Sequence, residues 1–285
     1  LREHLHDGRL VELCPGWTWK QVALYALMPS RTAQKPALKV FLAMLAEQTV
    51  LEHVVGIARQ VAAMIPNVTY AVATDDTSIQ TFCAEKSIPV IMTDSACETG
   101  TDRVMAAAKT LSPSPDFIIN LQGDAPFTPP DFVLELIKAY QDNPAADIVT
   151  PVVSLSWDEL DQLRAHKRDT PFSGTTAVID STRRALWFSK TIIPAIRKEE
   201  TLRSSHPLSP VYRHIGLYGY ARAALERYIT LPVSHYESLE GLEQLRALEN
   251  GMTIQAVVVD YAGRPAMTGI DSPEDLIRAE ALLKG

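Results

Sequence analysis

The sequence predicts an α/β protein with a mostly parallel, Rossmann-like sheet, helices on both faces of that sheet, and an embedded antiparallel subregion. Three observations lead to this fold class. Short apolar runs alternate with amphipathic segments between residues 22 and 153, and this order favours parallel strands joined by right-handed crossovers. Polar residues directly follow several of the runs, at the sheet edge where ligands bind in such folds. Farther along the chain, two strand-like runs flank a short turn, as antiparallel pairs do.

The first half is predicted to contain five strands. Each is a short apolar run, and continuous runs of this kind are typical of strands covered on both faces. Polar residues follow the first, second and fourth runs at Ser30-Arg31, Asp75-Asp76 and Gln122-Gly123-Asp124. The predicted strands are Val22–Met28, Thr69–Thr74, Val90–Met92, Phe117–Leu121 and Asp147–Val153.

Helices are predicted between these strands because apolar residues recur there three and four positions apart. Thr99 or Thr101 is a suitable N-cap for the third helix. Pro129-Pro130 precedes the fourth, and proline is favoured at the first position of a helix. The predicted helices are Thr49–Met64, Ser78–Lys86, Thr101–Thr110 and Asp131–Gln141.

The second half has a different pattern. A charged helix is followed by two strands around a turn at Ser181–Arg183, and the polar, proline-bearing residues 195–211 are predicted to form a mobile loop. Asn250-Gly251 is expected to end a helix with a left-handed cap. The predicted strands are Thr176–Asp180, Ala185–Ser189, His214–Tyr220 and Thr253–Val259, and the predicted helices are Trp157–Arg168, Arg222–Ile229, Leu239–Asn250 and Ser272–Leu283.

Length and composition favour one domain with a sizeable core. The 285 residues are 46% hydrophobic, and we expect an N-terminal extension over residues 1–20 and a single domain over 21–285, with residues 155–235 as its antiparallel subregion. The net charge of −7 argues against a nucleic-acid partner. The longest apolar run is too short to span a bilayer, and no signal peptide is evident. Three widely spaced cysteines without a CxxC motif indicate reduced thiols in the cytoplasm.

Two acidic positions are candidates for metal binding. Asp124 follows a buried strand in Gln122-Gly123-Asp124, and Asp271 precedes the last helix in the segment Thr268–Leu276. Carboxylates at strand ends are suitable ligands for Mg²⁺, which prefers hard oxygen donors and nucleotide phosphates. The alternatives are an Asx turn at Asp124 and a simple helix cap at Asp271 or Ser272.

Two further segments are candidates for anion binding. Thr99–Arg103 offers hydroxyls, backbone N–H groups and an arginine at a helix N-terminus, which suits an anion or a nucleobase edge. The loop Pro29–Lys39 carries Arg31, Lys35 and Lys39 after the first strand, where phosphates bind in α/β folds. The alternatives are an ordinary capped helix and a solvated basic loop.

The second half offers polar residues for a small acid or polyol. His214 lies beside Arg213, and this pair is suitable for a carboxylate, although a histidine in a strand is more often structural. Glu240 and Gln244 lie four positions apart, which predicts that both project from one helical face toward a polyol. The alternative is a solvated helix face.

The order of these motifs resembles that of the CMP-Kdo synthetases, the 3-deoxy-manno-octulosonate cytidylyltransferases of the nucleotidyltransferase superfamily. The resemblance runs from about Val22 to the end of the chain, and several motifs in one order are more specific than any single one. It is strongest at Val72–Asp75, Thr99–Arg103, Leu121–Asp124, Phe188–Lys190, Arg213–Tyr220, Leu242–Arg246 and Thr268–Leu276.

The resemblance implies a cytoplasmic, homodimeric enzyme of lipopolysaccharide biosynthesis that transfers CMP from CTP to a small sugar acid, with Mg²⁺ as cofactor and pyrophosphate as product. It implies dimerisation through the antiparallel region and no membrane or nucleic-acid partner. Asp124 and Asp271 would ligate the metal and, with Lys39, serve catalysis. The implied nucleotide-binding residues are Ser30, Arg31, Lys35, Lys39, Thr74, Thr101, Arg103 and Gln122. The implied acceptor-binding residues are Lys190, His214, Tyr218, Glu240 and Gln244.

The chain departs from the family pattern at several positions. Pro36-Ala37-Leu38 replaces a glycine-bearing segment, Ala125 replaces an acidic residue, Ser173–Ala177 replaces an asparagine-proline-asparagine segment and its lysine, and Lys190 replaces an arginine. Arginine and lysine are not equivalent at a bidentate site. Three alternatives therefore remain open: a different small acid such as a phosphonate as acceptor, a nucleotide with another base, and a nucleotide-binding scaffold without activity.

Overall fold

The computed structural model describes residues 22–27, 42–264, 266, 269–270 and 273–284. These residues form twelve strands and ten helices. The strands are β1 (Val22–Leu27), β2 (Met44–Leu45), β3 (Gln48–Thr49), β4 (Val68–Thr74), β5 (Val90–Met92), β6 (Phe117–Gln122), β7 (Ile148–Ser156), β8 (Thr175–Ile179), β9 (Ala185–Ser189), β10 (Leu208–His214), β11 (Tyr218–Ala221) and β12 (Ile254–Val259). The helices are α1 (Val50–Met64), α2 (Thr77–Glu85), α3 (Gly100–Ala108), α4 (Pro130–Asp142), α5 (Trp157–Asp169), α6 (Glu199–Ser205), α7 (Arg222–Tyr228), α8 (His235–Glu240), α9 (Glu243–Glu249) and α10 (Pro273–Lys284).

The parallel half of the main sheet has the order β5-β4-β1-β6. Alternate residues of β6 divide between two apolar clusters: Phe117 and Ile119 pack with α1 and α4, whereas Ile118 packs with α3. These strands are therefore covered on both faces, which confirms the interpretation of their apolar runs. Thr99 caps α3 through a reciprocal capping box with Asp102.

The sheet as a whole is mixed, so the prediction of a mostly parallel, Rossmann-like sheet is correct only for this half. The strand β11 lies between β6 and β7 and is antiparallel to both. Gly219 makes this insertion possible, because a Cβ there would overlap the ring of Phe117 and lie 2.9 Å from Val149 Cγ2. The α/β class is confirmed, but the fifth predicted strand is not a direct neighbour of the fourth.

The antiparallel strands curl into a partly closed barrel. The order β11-β7-β10-β8-β9 continues the main sheet, and β12 pairs in parallel with the other edge of β7. The end strand β9 meets β12 at a single bridge between Arg184 and Gln255, where the Ala256 N–H donates to the Arg183 carbonyl at 2.8 Å. The predicted antiparallel subregion thus belongs to the same ten-stranded sheet as the parallel half.

Three predicted elements of the second half are divided or replaced. The helix predicted over Leu239–Asn250 is two helices, because Gly241 has a φ of 63° and ends α8. The strand predicted over His214–Tyr220 is interrupted by a tight turn in which the Leu217 N–H donates to the Ile215 carbonyl at 2.7 Å. The loop predicted over residues 195–211 instead contains α6 and most of β10.

Apolar packing and ion pairs hold this segment against α5, where Leu202 and Val211 belong to one cluster with Leu160. Arg164 on α5 binds both carboxylate oxygens of Glu199 on α6 at 2.8 Å, and Arg203 also bonds to Glu199. The Arg203 guanidinium lies 4.7 Å from the ring centre of Trp157. These contacts dock a polar segment whose composition alone indicated a loop.

No helix within the described ranges combines the length and the apolar character that crossing a membrane requires.

Candidate functional site

A cavity of about 400 Å³ lies where the strand ends of the two sheet halves meet. We call it the main cavity. It brings together six of the predicted site residues, which are 143 positions apart at the extremes of the sequence (Thr101 to Gln244). Its walls are formed by Gly100, Thr101, Asn120, Gln122, Gly174, Thr175, Lys190, His214, Gly216, Tyr218, Gly241, Leu242, Glu243 and Gln244.

His214 is held in one tautomer by a threonine that sequence reasoning missed. The Thr150 hydroxyl donates its proton to the Leu217 carbonyl at 2.8 Å, so it accepts a hydrogen bond from His214 Nε2, also at 2.8 Å. This pattern assigns the imidazole proton to Nε2 and leaves Nδ1 as an acceptor. Burial, with a smaller contribution from Lys190, lowers the pKa of His214 to about 3. His214 is therefore a neutral acceptor rather than a cation.

Tyr218 orients the amide of Gln244. The Tyr218 hydroxyl donates to Gln244 Oε1 at 3.0 Å, and burial keeps the pKa of this tyrosine well above its usual range. The amide nitrogen of Gln244 is consequently directed away from Tyr218. It is buried and has no hydrogen-bond partner in the described residues. An unsatisfied buried donor in a cavity wall is a binding group for an acceptor oxygen of a ligand.

Glu240 lies behind the cavity wall instead of in it. Its carboxylate accepts from the Ser189 hydroxyl at 2.8 Å and from the Lys190 backbone N–H at 2.7 Å. Because Gly241 ends the helix, Glu240 and Gln244 do not share the helical face that their spacing predicted. The carboxylate instead anchors the end of β9, from which the side chain of Lys190 lines the cavity.

Lys167 braces the same region from α5. Its ammonium group donates to the carbonyl oxygens of Lys190 at 2.6 Å and Gly174 at 3.1 Å, and also to that of Ser173. Burial lowers the pKa of Lys167, and repulsion from Lys190 and Arg213 lowers it further. The sequence showed only a lysine in the last turn of a charged helix, so no signal distinguished this role.

Thr101 and Gln122, which we predicted to bind the nucleotide, also line the main cavity. The Thr101 hydroxyl donates to Glu243 Oε2 at 3.1 Å, and burial raises the pKa of this glutamate. The Gln122 amide donates to Asn120 Oδ1 at 3.3 Å. Glu243 and Asn120 were missed in the sequence, because neither belongs to a spacing that indicates chemistry by itself.

Thr74 and Arg103, which we expected to contact the nucleotide, do not line the main cavity. Both side chains are fully buried. The Arg103 guanidinium lies 3.2 Å from an Asp75 oxygen and donates to the Thr93 hydroxyl at 2.5 Å. The Thr74 hydroxyl accepts from the Asp76 N–H at 3.1 Å. These contacts link Arg103 and Thr74 to the ends of β4 and β5, while Nε and Nη2 of Arg103 are buried without a hydrogen-bond partner among the described residues.

Asp124 lies against the segment that leads to Asp271. The Ile270 N–H donates to the Asp124 carbonyl at 2.9 Å, and a Cβ at Gly269 would lie 3.5 Å from Asp124 Oδ2. Ile270 is buried with Leu45, which anchors this segment. Other predicted positions lie outside the described residues: Ser30, Arg31, Lys35, Lys39, Asp271 and the N-terminal extension 1–20.

The donor chemistry at Asp124 fits a magnesium ion. Mg²⁺ is usually held by one or two carboxylates, with waters and substrate phosphates completing its shell, so it does not need a cage of protein ligands. Asp124 places a carboxylate, an oxygen donor of the kind Mg²⁺ prefers, at the carboxyl end of β6. Among the described residues, no three His, Cys, Asp or Glu side chains are grouped to hold a metal ion by themselves.

Comparisons with known proteins identify the family of the chain. The profile of a family described as "Cytidylyltransferase" matches residues 30–254. A 3-deoxy-manno-octulosonate cytidylyltransferase from Maricaulis maris (strain MCS10) is 38% identical over 263 residues, which cover 92% of this chain and 97% of that protein. One from Elusimicrobium minutum (strain Pei191) is also 38% identical, over 75% of this chain and 80% of its own.

Two solved structures share this fold. The structure of a CMP:2-keto-3-deoxy-manno-octonic acid synthetase complexed with CTP has a TM-score of 0.75 and 29% identity, and the match covers 94% of this chain and 99% of that one. A 4-diphosphocytidyl-2C-methyl-D-erythritol synthase from Anaerococcus prevotii DSM 20548 has a TM-score of 0.57 and 15% identity, over 94% and 100% of the two chains, and shares the fold alone. The match over most of the sequence shows that the chain belongs to the cytidylyltransferase family, in the group of the 3-deoxy-manno-octulosonate cytidylyltransferases.

Proposed function

We propose that this enzyme transfers CMP from CTP to 3-deoxy-manno-octulosonate and releases pyrophosphate, as a step of lipopolysaccharide biosynthesis. One observation carries the acceptor assignment: the main cavity combines a neutral imidazole acceptor on His214, an unsatisfied amide donor on Gln244 and an ammonium group on Lys190. A small sugar acid offers the matching hydroxyls and carboxylate. The relatives named above support CTP as the nucleotide.

The proposed reaction is a direct displacement at phosphorus. An acceptor hydroxyl oxygen attacks the α-phosphorus of CTP, the bond from that phosphorus to the bridging oxygen of the β-phosphate breaks, and pyrophosphate leaves with the bonding electrons. The hydroxyl proton passes to solvent. Such a reaction depends on positioning and on neutralisation of negative charge, so no protein nucleophile is required.

In this proposal, the sugar-acid substrate is held by hydrogen-bond donors and by one hydrogen-bond acceptor of the protein. Lys190 and the Gln244 amide bind its carboxylate, because both are donors. His214 Nδ1 accepts a hydrogen bond from one of its hydroxyls. Tyr218 and Glu240 contribute indirectly: the first orients the Gln244 amide, and the second anchors the strand end that carries Lys190.

The nucleotide is assigned to the other end of the cavity. Thr101 and Gln122 form its wall there. The loop that follows β1 would approach the triphosphate with Ser30, Arg31, Lys35 and Lys39, and Lys39 would serve catalysis. Thr74 and Arg103 support the strand ends beneath the nucleotide without contacting it.

Asp124 and Asp271 are proposed to hold Mg²⁺. The bound ion would supply charge neutralisation at the triphosphate oxygens. The contact of Gly269 and Ile270 with Asp124 supports this pairing, since it brings the chain to Asp124 within two residues of Asp271.

A homodimer in the cytoplasm completes the proposal. Tyr236 and Leu239 lie three positions apart on α8 and are 46% and 68% exposed, and Tyr236 contacts Trp187 on the end strand β9. This apolar surface borders the antiparallel subregion, where we place a second copy of the chain. The free thiols of Cys83 and Cys97 are consistent with a reducing compartment.

Pyrophosphate release tests the function directly. The enzyme is assayed with Mg²⁺ and each of the four nucleoside triphosphates, against 3-deoxy-manno-octulosonate, other sugar acids and a phosphonate. We expect release with CTP and the octulosonate. Release that is equal with all four nucleotides would contradict the cytidine assignment, and release only with a phosphonate would contradict the acceptor assignment.

A further inference from the structure

A second cavity, of about 340 Å³, lies between α5 and the sheet. We call it the helix-side cavity. Arg213 lines it, whereas its neighbour His214 lines the main cavity. Successive side chains along a strand project to opposite faces, so the two cavities lie on opposite faces of β10. They meet at Gly174, which lines both.

Among the residues that the structure describes, none pairs with the charged group of Arg213. Its Nε is buried, and throughout the described part of the chain no hydrogen bond or ion pair satisfies its guanidinium. A partly buried, unpaired cation costs free energy, and such groups are normally paired with a carboxylate or with a ligand. The helix-side cavity also contains Glu159, but that carboxylate accepts from the backbone N–H and the hydroxyl of Ser156, both at 2.7 Å.

Positive charge is concentrated around Gly174. Lys167 bonds to the Gly174 carbonyl at 3.1 Å, Lys190 lies on the main-cavity side, and Arg213 lies on the helix-side. Lys167 is fully engaged with backbone carbonyls, which carry no net charge. Glu240 is the acidic group that acts on Lys167, and it is already bonded to Ser189 and the Lys190 backbone. The three cations outnumber the two nearby carboxylates, Glu159 and Glu240, which are bonded only to neutral donors and keep their charge. In a protein of net charge −7, this local excess of one positive charge favours an anion.

We propose that the helix-side cavity is a binding site for a phosphate or diphosphate group, with the guanidinium of Arg213 as its principal ligand. The planar fork of an arginine binds phosphate oxygens in a bidentate manner. Two sources share this chemistry: the pyrophosphate product of cytidylyl transfer, and a phosphate group of a different ligand. The proposal concerns binding alone, so it stands independently of the proposed function.

The test is calorimetric titration of the whole chain with inorganic phosphate and with pyrophosphate, in the absence of CTP and of divalent cations. We expect Arg213→Gln to weaken binding by about tenfold or more. Lys190→Met removes a cation from the main cavity, and Arg59→Gln removes the same charge from an exposed position on α1. Arg59→Gln is expected to bind phosphate as the wild type does. Lys190→Met is expected to lose less affinity than Arg213→Gln, because its charge lies on the main-cavity side of Gly174.

A second measurement separates ligand binding from a structural role. Arg213→Gln removes an unpaired charge, so without phosphate it is expected to unfold at the same temperature as the wild type or at a higher one. Phosphate should raise the unfolding temperature of the wild type but not of this variant. If Arg213→Gln does not fold, Arg213→Lys replaces it, because it keeps the charge and loses the bidentate fork.

The relative affinities for phosphate and pyrophosphate distinguish the two sources, and three outcomes would contradict the proposal. Pyrophosphate bound about tenfold more tightly than phosphate identifies a site for the product, and equal affinities identify a site for a single phosphate group. The proposal is overturned if the wild type binds neither anion at millimolar concentration. It is also overturned if Arg213→Gln binds as tightly as the wild type, or if Lys190→Met loses as much affinity as Arg213→Gln.

Discussion

Thr150 is the residue whose replacement tests the site geometry most directly. Thr150→Val keeps the shape of the side chain but removes the hydroxyl that accepts from His214 Nε2 and donates to the Leu217 carbonyl. Two buried, neutral hydrogen bonds are lost and no cavity is created. At about 1 kcal/mol for each bond, the free energy of unfolding should fall by about 2 kcal/mol. For a chain of 285 residues, that loss lowers the Tm by roughly 3–4 °C.

Thr150→Val should affect the use of the sugar-acid acceptor and not the binding of CTP. Without Thr150 the imidazole is no longer held with its proton on Nε2, so His214 Nδ1 is not a constant acceptor. We expect kcat/KM for the acceptor to fall by about tenfold, or ~1.4 kcal/mol, with the KM for CTP unchanged. Nitrogen-15 NMR of labelled histidine should show a protonated Nε2 in the wild type and a mixture of tautomers in the variant.

Thr150→Ser is the matched control. It removes a buried methyl group and loses some stability, but it keeps both hydrogen bonds, so the tautomer and the acceptor KM should be those of the wild type. The reasoning is refuted if Thr150→Val keeps the Nε2-protonated tautomer, or if Ser and Val at this position affect the acceptor equally.

Four further predictions address the remaining groups. Asp75→Asn leaves Arg103 buried and unpaired, so urea unfolding should show a loss of about 3–5 kcal/mol, and a loss below about 1 kcal/mol would contradict the ion pair. Asp124→Asn should reduce pyrophosphate release by several orders of magnitude with little change in Tm. Near-normal turnover would instead indicate that Asp124 only stabilises a turn. The pKa of His214 is about 3 in the folded chain and 6.5 in the unfolded chain, so the unfolded chain binds this proton first on acidification. The free energy of unfolding that His214 contributes should therefore fall by about 1.4 kcal/mol between about pH 7.5 and pH 5.5. The variant His214→Asn should not show this part of the pH dependence. Glu240→Gln weakens the anchor of the β9 end, so the acceptor KM should rise by about tenfold while the KM for CTP is unchanged, and parallel changes in both would show that the two half-sites are not separate.

Local patterns in the sequence were sufficient for the elements of the first half. The apolar runs at β4, β5 and β6 predicted strands covered on both faces, and the 3.6-residue period predicted α1 and α4. These patterns depend on which face of a segment is buried, and that information is contained in neighbouring residues. The motifs also placed Thr101, Gln122, His214 and Gln244 in one candidate site, although their individual roles remain predictions.

Tertiary structure decided what those patterns could not. The insertion of β11 depends on Gly219 fitting against Phe117, a residue about 100 positions away in the sequence, and no local pattern contains that contact. Arg103 is buried 3.2 Å from an Asp75 oxygen, a contact that the Thr99–Arg103 motif by itself did not predict. Likewise, Thr150 acquires its role only because folding brings it to His214, 64 positions away. Sequence alone thus determined the kinds of elements and the chemical groups available. The long-range packing determined which of those groups are consumed by the protein itself and which are left for a ligand, because hydrogen bonds and ion pairs form between whichever partners the fold brings within reach.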